Sequence, residues 1–234
     1  PFGEAVDALG EFSTTAENRA VLKLFDNIDL TSALTFNTGF ITLDLNGYML
    51  KQTGSGSVIS INEGADFILD DLSGTTATHN YYVAEDGLWT FYDGDLPEAA
   101  PDGAVTGVVT GGVLTGGNAL YGGVNVYGTF TMNGGTISGN VATRGGGVYM
   151  GDGSTFTMTD GTISGNVAAS GGGVYVNGGT FTMNGGTISG NTAVYNNGGG
   201  NGGGVLVGSV GSATGIFTMS GGTVSDNDAT YYGS

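Results

Sequence analysis

Residues 155–176, TFTMTDGTISGNVAASGGGVYV, are the most informative part of the sequence, because close copies of them recur along the second half of the chain. Each copy contains an asparagine that closes a short motif. These motifs are VLTGGN ending at Asn118, TISGN ending at Asn140, Asn166 and Asn191, and TVSDN ending at Asn227. A repeat of about 25 residues is typical of a solenoid, in which each unit is one supersecondary element stacked on the next.

Each unit predicts three short strands separated by glycine and asparagine turns, which is one coil of a parallel β-helix. Strand alternation predicts which side chains fill the core. The inward positions are Phe130, Phe156, Phe181 and Phe217, Met132, Met158, Met183 and Met219, Val124, Val148, Val174 and Val205, and Ile137, Ile163, Ile188 and Val224. We therefore predict an all-β chain that forms a single right-handed parallel β-helix of about seven to nine coils, with a short N-terminal capping helix.

Stacked coils place equivalent residues in columns along the axis, about 4.8 Å apart. The repeated asparagine should then form a ladder in which each side-chain amide bonds to those above and below, as stacked asparagines do in cross-β assemblies. The predicted ladder residues are Asn140, Asn166, Asn191 and Asn227.

Composition excludes several classes of function. The 234 residues include 49 glycines and no cysteine, and the formal net charge is −17. We expect no nucleic-acid partner, because the chain has no cationic patch to neutralise phosphates. No apolar run is long enough to cross a bilayer, so we expect no membrane insertion. The lack of cysteine rules out disulfides and thiolate metal sites.

The chain divides near residue 103, where glycine becomes dominant. Residues 1–102 should form an N-terminal cap and irregular first coils, continuous with the regular repeats of residues 103–234. The spacing of Phe2, Ala5, Val6, Leu9 and Phe12 predicts a short amphipathic helix that covers the first coil. Residues 75–103 break the pattern and predict a loop excursion from the solenoid.

The excursion holds the candidate ligand-binding residues Tyr81, Tyr82, Trp89 and Tyr92. Tyrosine and tryptophan offer an apolar face with a polar edge, which can stack on sugar rings. The simpler interpretation, which we favour, is a loop folded back so that the rings are buried against the coil wall.

No catalytic constellation emerges, so we expect no enzyme activity and no cofactor. Arg144 is the one base of the repeat region, Asp70 and Asp71 should point to opposite faces, and His79 is expected to be an ordinary loop residue. The sequences DGD at 93–95 and DND at 226–228 could each supply oxygen ligands to calcium. Neither matches a known calcium-loop spacing, so we predict solvated turns and no metal site.

Outward threonines form regular columns at Thr129, Thr131, Thr155, Thr157, Thr180, Thr182 and Thr218. A second set consists of the pairs Thr136 and Ser138, Thr162 and Ser164, Thr187 and Ser189, and Thr223 and Ser225. Flat ranks of hydroxyl and methyl groups resemble the ice-binding faces of some β-helical antifreeze proteins. The competing explanation, which we favour, is that threonine is simply a good outward strand residue.

Two stretches resemble known bacterial surface proteins. ITLDLNGYML at residues 41–50 resembles the first coils of pectate-lyase-like right-handed β-helix domains. The unit SGN-x-A followed by GGG-V-Y, at 138–149 and 164–175, resembles the repeat of polymorphic outer-membrane-protein adhesins. The repeat resemblance spans residues 112–230, and it implies a secreted or surface-anchored region with an adhesive or structural role.

Together these observations predict a non-catalytic structural or adhesive β-helix at the cell surface or outside the cell. The last coil lacks a recognisable cap, so we expect either that further coils follow it or that the β-helix ends self-associate, in which case head-to-tail docking would form a fibre. A glycan or host-surface ligand is the other expected partner. The alternatives are a carbohydrate-binding or carbohydrate-degrading domain centred on the excursion, and an ice-binding protein that uses the threonine columns.

Overall fold

The computed structural model describes residues 14–72, 77–195, 200–210 and 213–231. These residues form an all-β parallel β-helix, as predicted. The amphipathic helix expected over Phe2–Phe12 lies outside the described residues. The first described element is a 3₁₀ turn at Ala16–Asn18, which leads directly into the first strand.

The strands of the first half, in chain order, are β1 Ala20–Lys23, β2 Ile28–Leu30, β3 Leu34–Phe36, β4 Gly39–Asp44, β5 Met49–Gln52, β6 Ile59–Ile61, β7 Ala65–Asp70, β8 Thr78–Val83, β9 Trp89–Tyr92, β10 Thr106–Thr110, β11 Val113–Thr115 and β12 Asn118–Tyr121. The next strands are β13 Val124–Val126, β14 Thr129–Met132, β15 Thr136–Ser138, β16 Val141–Arg144, β17 Val148–Met150, β18 Thr155–Met158, β19 Thr162–Ser164, β20 Val167–Ser170 and β21 Val174–Asn177. The last are β22 Thr180–Met183, β23 Thr187–Ser189, β24 Thr192–Tyr195, β25 Val205–Val210, β26 Ala213–Thr214, β27 Ile216–Met219, β28 Thr223–Ser225 and β29 Asp228–Tyr231.

A full coil has four strands rather than the three predicted, and so the solenoid has four faces. Face 1 contains β1, β4, β7, β14, β18, β22 and β27, and face 2 contains β2, β5, β11, β15, β19, β23 and β28. Face 3 contains β12, β16, β20, β24 and β29, and face 4 contains the parallel strands β3, β6, β13, β17, β21 and β25. Seven strands on face 1 correspond to seven coils in the described residues, at the lower end of the prediction.

Face 3 escaped prediction because its strands lack a clear apolar alternation. Each follows the repeated asparagine with a short segment such as VATR or VAAS, which contributes little more than one alanine to the interior. Ala142 is 9% exposed and Ala168 is 2% exposed, so these small side chains let the chain pass close to the core. A lone buried alanine per strand leaves too weak a periodic signal to predict a strand.

The core consists of the predicted columns of like residues. Phe130, Phe156 and Phe181 are fully buried, and their ring centroids lie 4.6 and 4.5 Å apart in a parallel stack. The stack continues to Phe217 at 4.9 Å and is preceded by Phe67 at 6.1 Å. Stacked rings at this spacing combine apolar burial with favourable aromatic contacts along the axis.

An antiparallel sheet of three strands branches from the third coil, between β7 on face 1 and β11 on face 2. This side sheet has the order β10-β8-β9, and its strands β8 and β9 lie within the segment predicted as a loop excursion. The segment does leave the solenoid, but it contains two strands that the sequence did not predict. Its strands are short and joined by turns rich in aspartate, glycine and proline, which hide the strand pattern.

The first coils carry the ion pairs of the described residues. Arg19 bonds to the Asp66 carboxylate at 2.8 Å, and Lys23 lies 3.0 Å from Asp44. Burial alone would raise the pKa of Asp44, but hydrogen bonds from the Leu72 and Asn46 amides and the Lys23 ammonium outweigh it. The pKa of Asp44 is consequently held below its ordinary value of 3.8.

We predict that Asp44 contributes to acid sensitivity. Because its pKa is lower in the folded state than in the unfolded chain, its stabilisation is complete above the ordinary value of 3.8 and is lost as pH falls through the folded value. Asp44→Asn should lower the free energy of unfolding at neutral pH and flatten its decline below about pH 4. Urea unfolding at a series of pH values measures this, and Asp95→Asn, at an exposed position, is the control. An unchanged acid decline in Asp44→Asn would contradict the prediction.

Candidate functional site

The asparagine ladder lies at the corner between faces 2 and 3, where the predicted residues meet. Nδ2 of Asn140 donates to Oδ1 of Asn166, Asn166 donates to Asn191, and Asn191 donates to Asn227, each at 2.9 Å. Each of these Oδ1 atoms also accepts the backbone N–H of the preceding ladder residue, at 3.0–3.2 Å. The first three side chains are fully buried, so the ladder is confirmed as an internal feature.

The second amide hydrogen is also used at each step. Nδ2 of Asn166 donates to the carbonyl of Ile137 in the coil before it, and Nδ2 of Asn191 donates to that of Ile163, both at 2.9 Å. The repeat alignment was off by one residue at its start. Gly117, not Asn118, occupies the ladder position, and its N–H donates to Oδ1 of Asn140 at 2.9 Å. The extra glycine of VLTGGN moves Asn118 onto face 3, where it pairs with Val141.

The side sheet packs against this same corner through Trp89. The Trp89 N–H donates to the carbonyl of Gly165 at 3.1 Å, and the indole ring lies directly on the Gly165 backbone. A Cβ on Gly165 would come within 2.4 Å of three indole carbons, so only glycine leaves room for the ring. Gly139 contacts the Trp89 backbone in the same way, and Gly190 lies at the ring edge. Trp89 thus contacts three coils beside the ladder, one through its backbone and two through its ring.

The aromatic residues predicted as a ligand site lie close together in the structure, and their rings contact mainly one another. Tyr81 stacks on Trp89 with ring centroids 4.0 Å apart and planes 4° from parallel. Tyr82 is 9% exposed and lies 6.2 Å from the Tyr92 ring. The Trp89 indole has a phenol ring on it and glycine backbone against it, which leaves little ring surface for a sugar. Tyr81 and Trp89 pack against the coil wall and are half-buried, in agreement with the simpler of the two expectations, whereas Tyr82 and Tyr92 pair on the opposite face of the side sheet.

His79 is part of this packing and not an ordinary loop residue. It lies on β8 with 8% exposure, and its Nε2 donates to the carbonyl of Gly47 at 3.0 Å. The expectation failed because the sequence around His79 gave no sign of a strand that docks on the solenoid. Its role in the described structure is to fix the side sheet to the second coil.

A cleft remains between the side sheet and face 2. One cavity of about 210 Å³ is lined by Lys51, Trp89, Phe91, Thr115 and Asn118 with neighbouring backbone. A second cavity of about 120 Å³ shares Lys51 and Phe91 and adds Asn27, Asp29, Met49, Tyr92 and Asp93. An ammonium, two carboxylates and two amides along one cleft can hydrogen bond to a small polar ligand. Sequence reasoning missed Lys51, Asp29 and Asn27, because only the docking of the side sheet places them beside the aromatic residues.

The threonine columns of face 1 are outward and in register, as expected. In the strand pairing, one column runs from Thr129 to Thr155 to Thr180 on neighbouring strands. The other runs from Thr131 to Thr157, Thr182 and Thr218. The second set on face 2 differs from the expectation of a hydroxyl rank. Ser138 and Ser164 are at most 1% exposed, since they flank the glycines on which Trp89 rests.

Asp71, one of the acidic residues considered for catalysis, has a structural role. The Asp71 carboxylate accepts the N–H groups of Gly47 and Gly112, both at 2.7 Å, which joins neighbouring turns. The described residues contain no group of three or more His, Asp or Glu side chains placed to hold a metal ion. Among those residues, no helix has the length and apolar character that crossing a bilayer requires.

Comparisons with known proteins give no relative. No protein-family model, no curated protein and no solved structure matches this chain. The described fold, a parallel β-helix with an internal asparagine ladder and a docked side sheet, therefore defines the class of protein by its architecture.

We predict that Gly165→Ala loosens the side sheet. The new Cβ would collide with the indole at a residue whose φ is +60°, and the left-handed backbone adds about 1–2 kcal/mol for any residue other than glycine. Gly153→Ala is a matched control, because its φ is +71° and nothing lies within 4 Å of the added Cβ. Chemical unfolding should show a larger loss for Gly165→Ala, with Trp89 emission shifted to the red. Equal losses without an emission shift would contradict the assigned packing.

Proposed function

We propose that this chain is a non-catalytic structural or adhesive β-helix region of a secreted or cell-surface bacterial protein, which stacks end to end through its last coil. The observation that carries the proposal is the apolar face of the last described coil. Met219 and Val224 belong to core columns, yet they are 44% and 39% exposed there. With Phe217 and Asn227 they line an open cavity of about 480 Å³.

The geometry of this face suits a further coil. Val224 continues the column of Ile137, Ile163 and Ile188, each of which is fully covered by the next coil. A coil added at the spacing of the preceding ones would cover Val224 and Met219 in the same way. Exposed core residues and open strand edges are the usual signature of an association surface. The occupant that we propose is a second copy of this chain, because head-to-tail stacking would continue the same columns into a fibre.

The surface assignment is supported by the resemblance of the SGN-x-A and GGG-V-Y units to adhesin repeats. The net charge of −17 would keep the sides of such a fibre apart in solution. On this proposal the described residues form a rod, and the threonine columns and the cleft are the surfaces open to other molecules.

We predict concentration-dependent, end-to-end association. Sedimentation velocity over a concentration series should show growing species, and electron microscopy should show filaments one rod in width. Val224→Lys puts a charge on the open coil face and should reduce the association to background. Thr155→Lys adds the same charge to the side of the rod and should leave it intact. A purely monomeric wild-type chain, or equal loss in both variants, would contradict end-to-end stacking.

Ice binding is a second candidate, favoured by the register of the face 1 threonines. Two unbroken columns run across the coils of β14, β18 and β22, and Thr155, Thr180 and Thr218 are exposed. Ile216 replaces threonine in the first column on β27, so the paired array is short.

If these columns bind ice, we predict that a solution of the wild-type chain shows thermal hysteresis. Thr157→Tyr should abolish it, because the tyrosine ring would stand above the flat array. Thr223→Tyr, on an exposed position of face 2, is the control and should retain the activity. Absence of hysteresis in the wild type, or its persistence in Thr157→Tyr, excludes ice binding by these columns.

A further inference from the structure

Four tyrosines from successive coils gather beside face 4, a cluster that the proposed function does not use. Tyr121 and Tyr149 stack with ring centroids 3.9 Å apart and planes 22° from parallel. Tyr127 lies 6.3 Å from Tyr149, and Tyr175 meets Tyr149 edge-on at 5.8 Å. Glycines make room for the outer rings, since a Cβ on Gly151 would come within 2.3 Å of the Tyr127 ring.

The phenol groups of this cluster lie close together, and one of them reaches solvent. Nδ2 of Asn177 donates to the Tyr149 hydroxyl at 2.7 Å. The Tyr121 hydroxyl interacts with those of Tyr149 and Tyr127. Tyr149 is 3% exposed and Tyr127 is 37% exposed, so the cluster extends from a buried phenol to an accessible one.

Both stacked phenols keep their protons at neutral pH. The hydrogen bond to Tyr127 and then burial raise the pKa of Tyr121. Burial and then the hydrogen bond to Tyr121 raise the pKa of Tyr149. Loss of an electron from either ring makes its hydroxyl strongly acidic, and the stacked rings, 3.9 Å apart, are close enough for an electron to pass between them. Oxidation at the exposed end can therefore reach the stacked pair without exposing it.

We propose that Tyr121 and Tyr149 are a site of oxidative cross-linking, which joins two coils through a dityrosine bond. Each phenol gives one electron to a peroxidase-type oxidant, and its proton is released to water and ends in the water formed from the peroxide. The two phenoxyl radicals couple through ring carbons beside the hydroxyls, and the two displaced ring hydrogens return to the oxygens. Two phenols and one hydrogen peroxide thus yield one dityrosine and two waters.

The rest of the chain gives this bond a structural purpose. With no cysteine, the chain cannot form disulfides between coils. The coil of Tyr121 is paired to that of Tyr149 through β12 and β16 and through β13 and β17, so the bond would lock contacts that already exist. A covalent closure between neighbouring coils limits the unfolded chain, as a disulfide does. This inference is independent of fibre formation and of any ligand.

The four basic residues allow a direct test. They are Arg19, Lys23, Lys51 and Arg144, so complete tryptic digestion places Tyr121 in fragment 52–144 and Tyr149 in fragment 145–234. Dilute protein is treated with a peroxidase and hydrogen peroxide, the monomer is isolated, and it is digested under denaturing conditions. We expect one joined species containing both fragments, with the blue fluorescence of dityrosine and a mass two hydrogens below their sum.

Variants that each remove one phenol hydroxyl identify which two tyrosines are joined. Tyr121→Phe and Tyr149→Phe keep the rings and should each abolish the joined species. Tyr175→Phe changes a tyrosine of the same fragment that is not stacked on Tyr121, and it should leave the species in place. Circular dichroism confirms that each variant is folded before oxidation. Unlinked fragments from the oxidised wild type, or a joined species that survives in Tyr121→Phe or Tyr149→Phe, would overturn the proposal.

Discussion

The hydrogen-bonded stacking of buried asparagines is the interaction on which the described fold depends. A side-chain amide in the interior is costly unless its oxygen and both hydrogens are satisfied. In Asn166 the oxygen accepts from Asn140, and the two hydrogens reach Asn191 and the carbonyl of Ile137. These partners are available only when each ladder residue lies directly over the equivalent residue of the neighbouring coil. The ladder therefore sets the register, and a slip between coils would leave several buried polar atoms without partners.

The register fixed at the corner determines what the other faces can do. It stacks phenylalanines at about 4.5 Å in the core and aligns threonines across face 1. It also places the left-handed glycines before Asn140, Asn166 and Asn191 in one row, which gives Trp89 a surface flat enough to lie on. The side sheet, the cleft beside Lys51 and the stacked pair Tyr121 and Tyr149 all follow from coils held in this arrangement.

The repeating part of the structure could be predicted from the sequence, because the same residue types recur at equivalent positions of successive coils. The inward phenylalanines, the threonine columns and the ladder from Asn140 to Asn227 could be predicted, since each column is written several times. Face 3 could not, because a buried alanine such as Ala168 looks the same in a turn as in a strand. The docking of Trp89 on Gly165 joins distant parts of the chain without any local pattern. The approach of Tyr121 to Tyr149 was hidden for the same reason, since the two occupy different positions in the repeat.

The free energy of unfolding of Asn166→Ala, compared with Asn133→Ala, tests the role of the ladder most directly. Asn133 lies on the surface in the preceding repeat, where its Oδ1 accepts a hydrogen bond from Thr159. We expect a loss of about 3 kcal/mol or more for Asn166→Ala, because buried donors and acceptors on both neighbouring coils lose their partner, and a loss below about 1 kcal/mol for Asn133→Ala. Similar small losses in the two variants would contradict the claim that the ladder sets the register and holds the coils together.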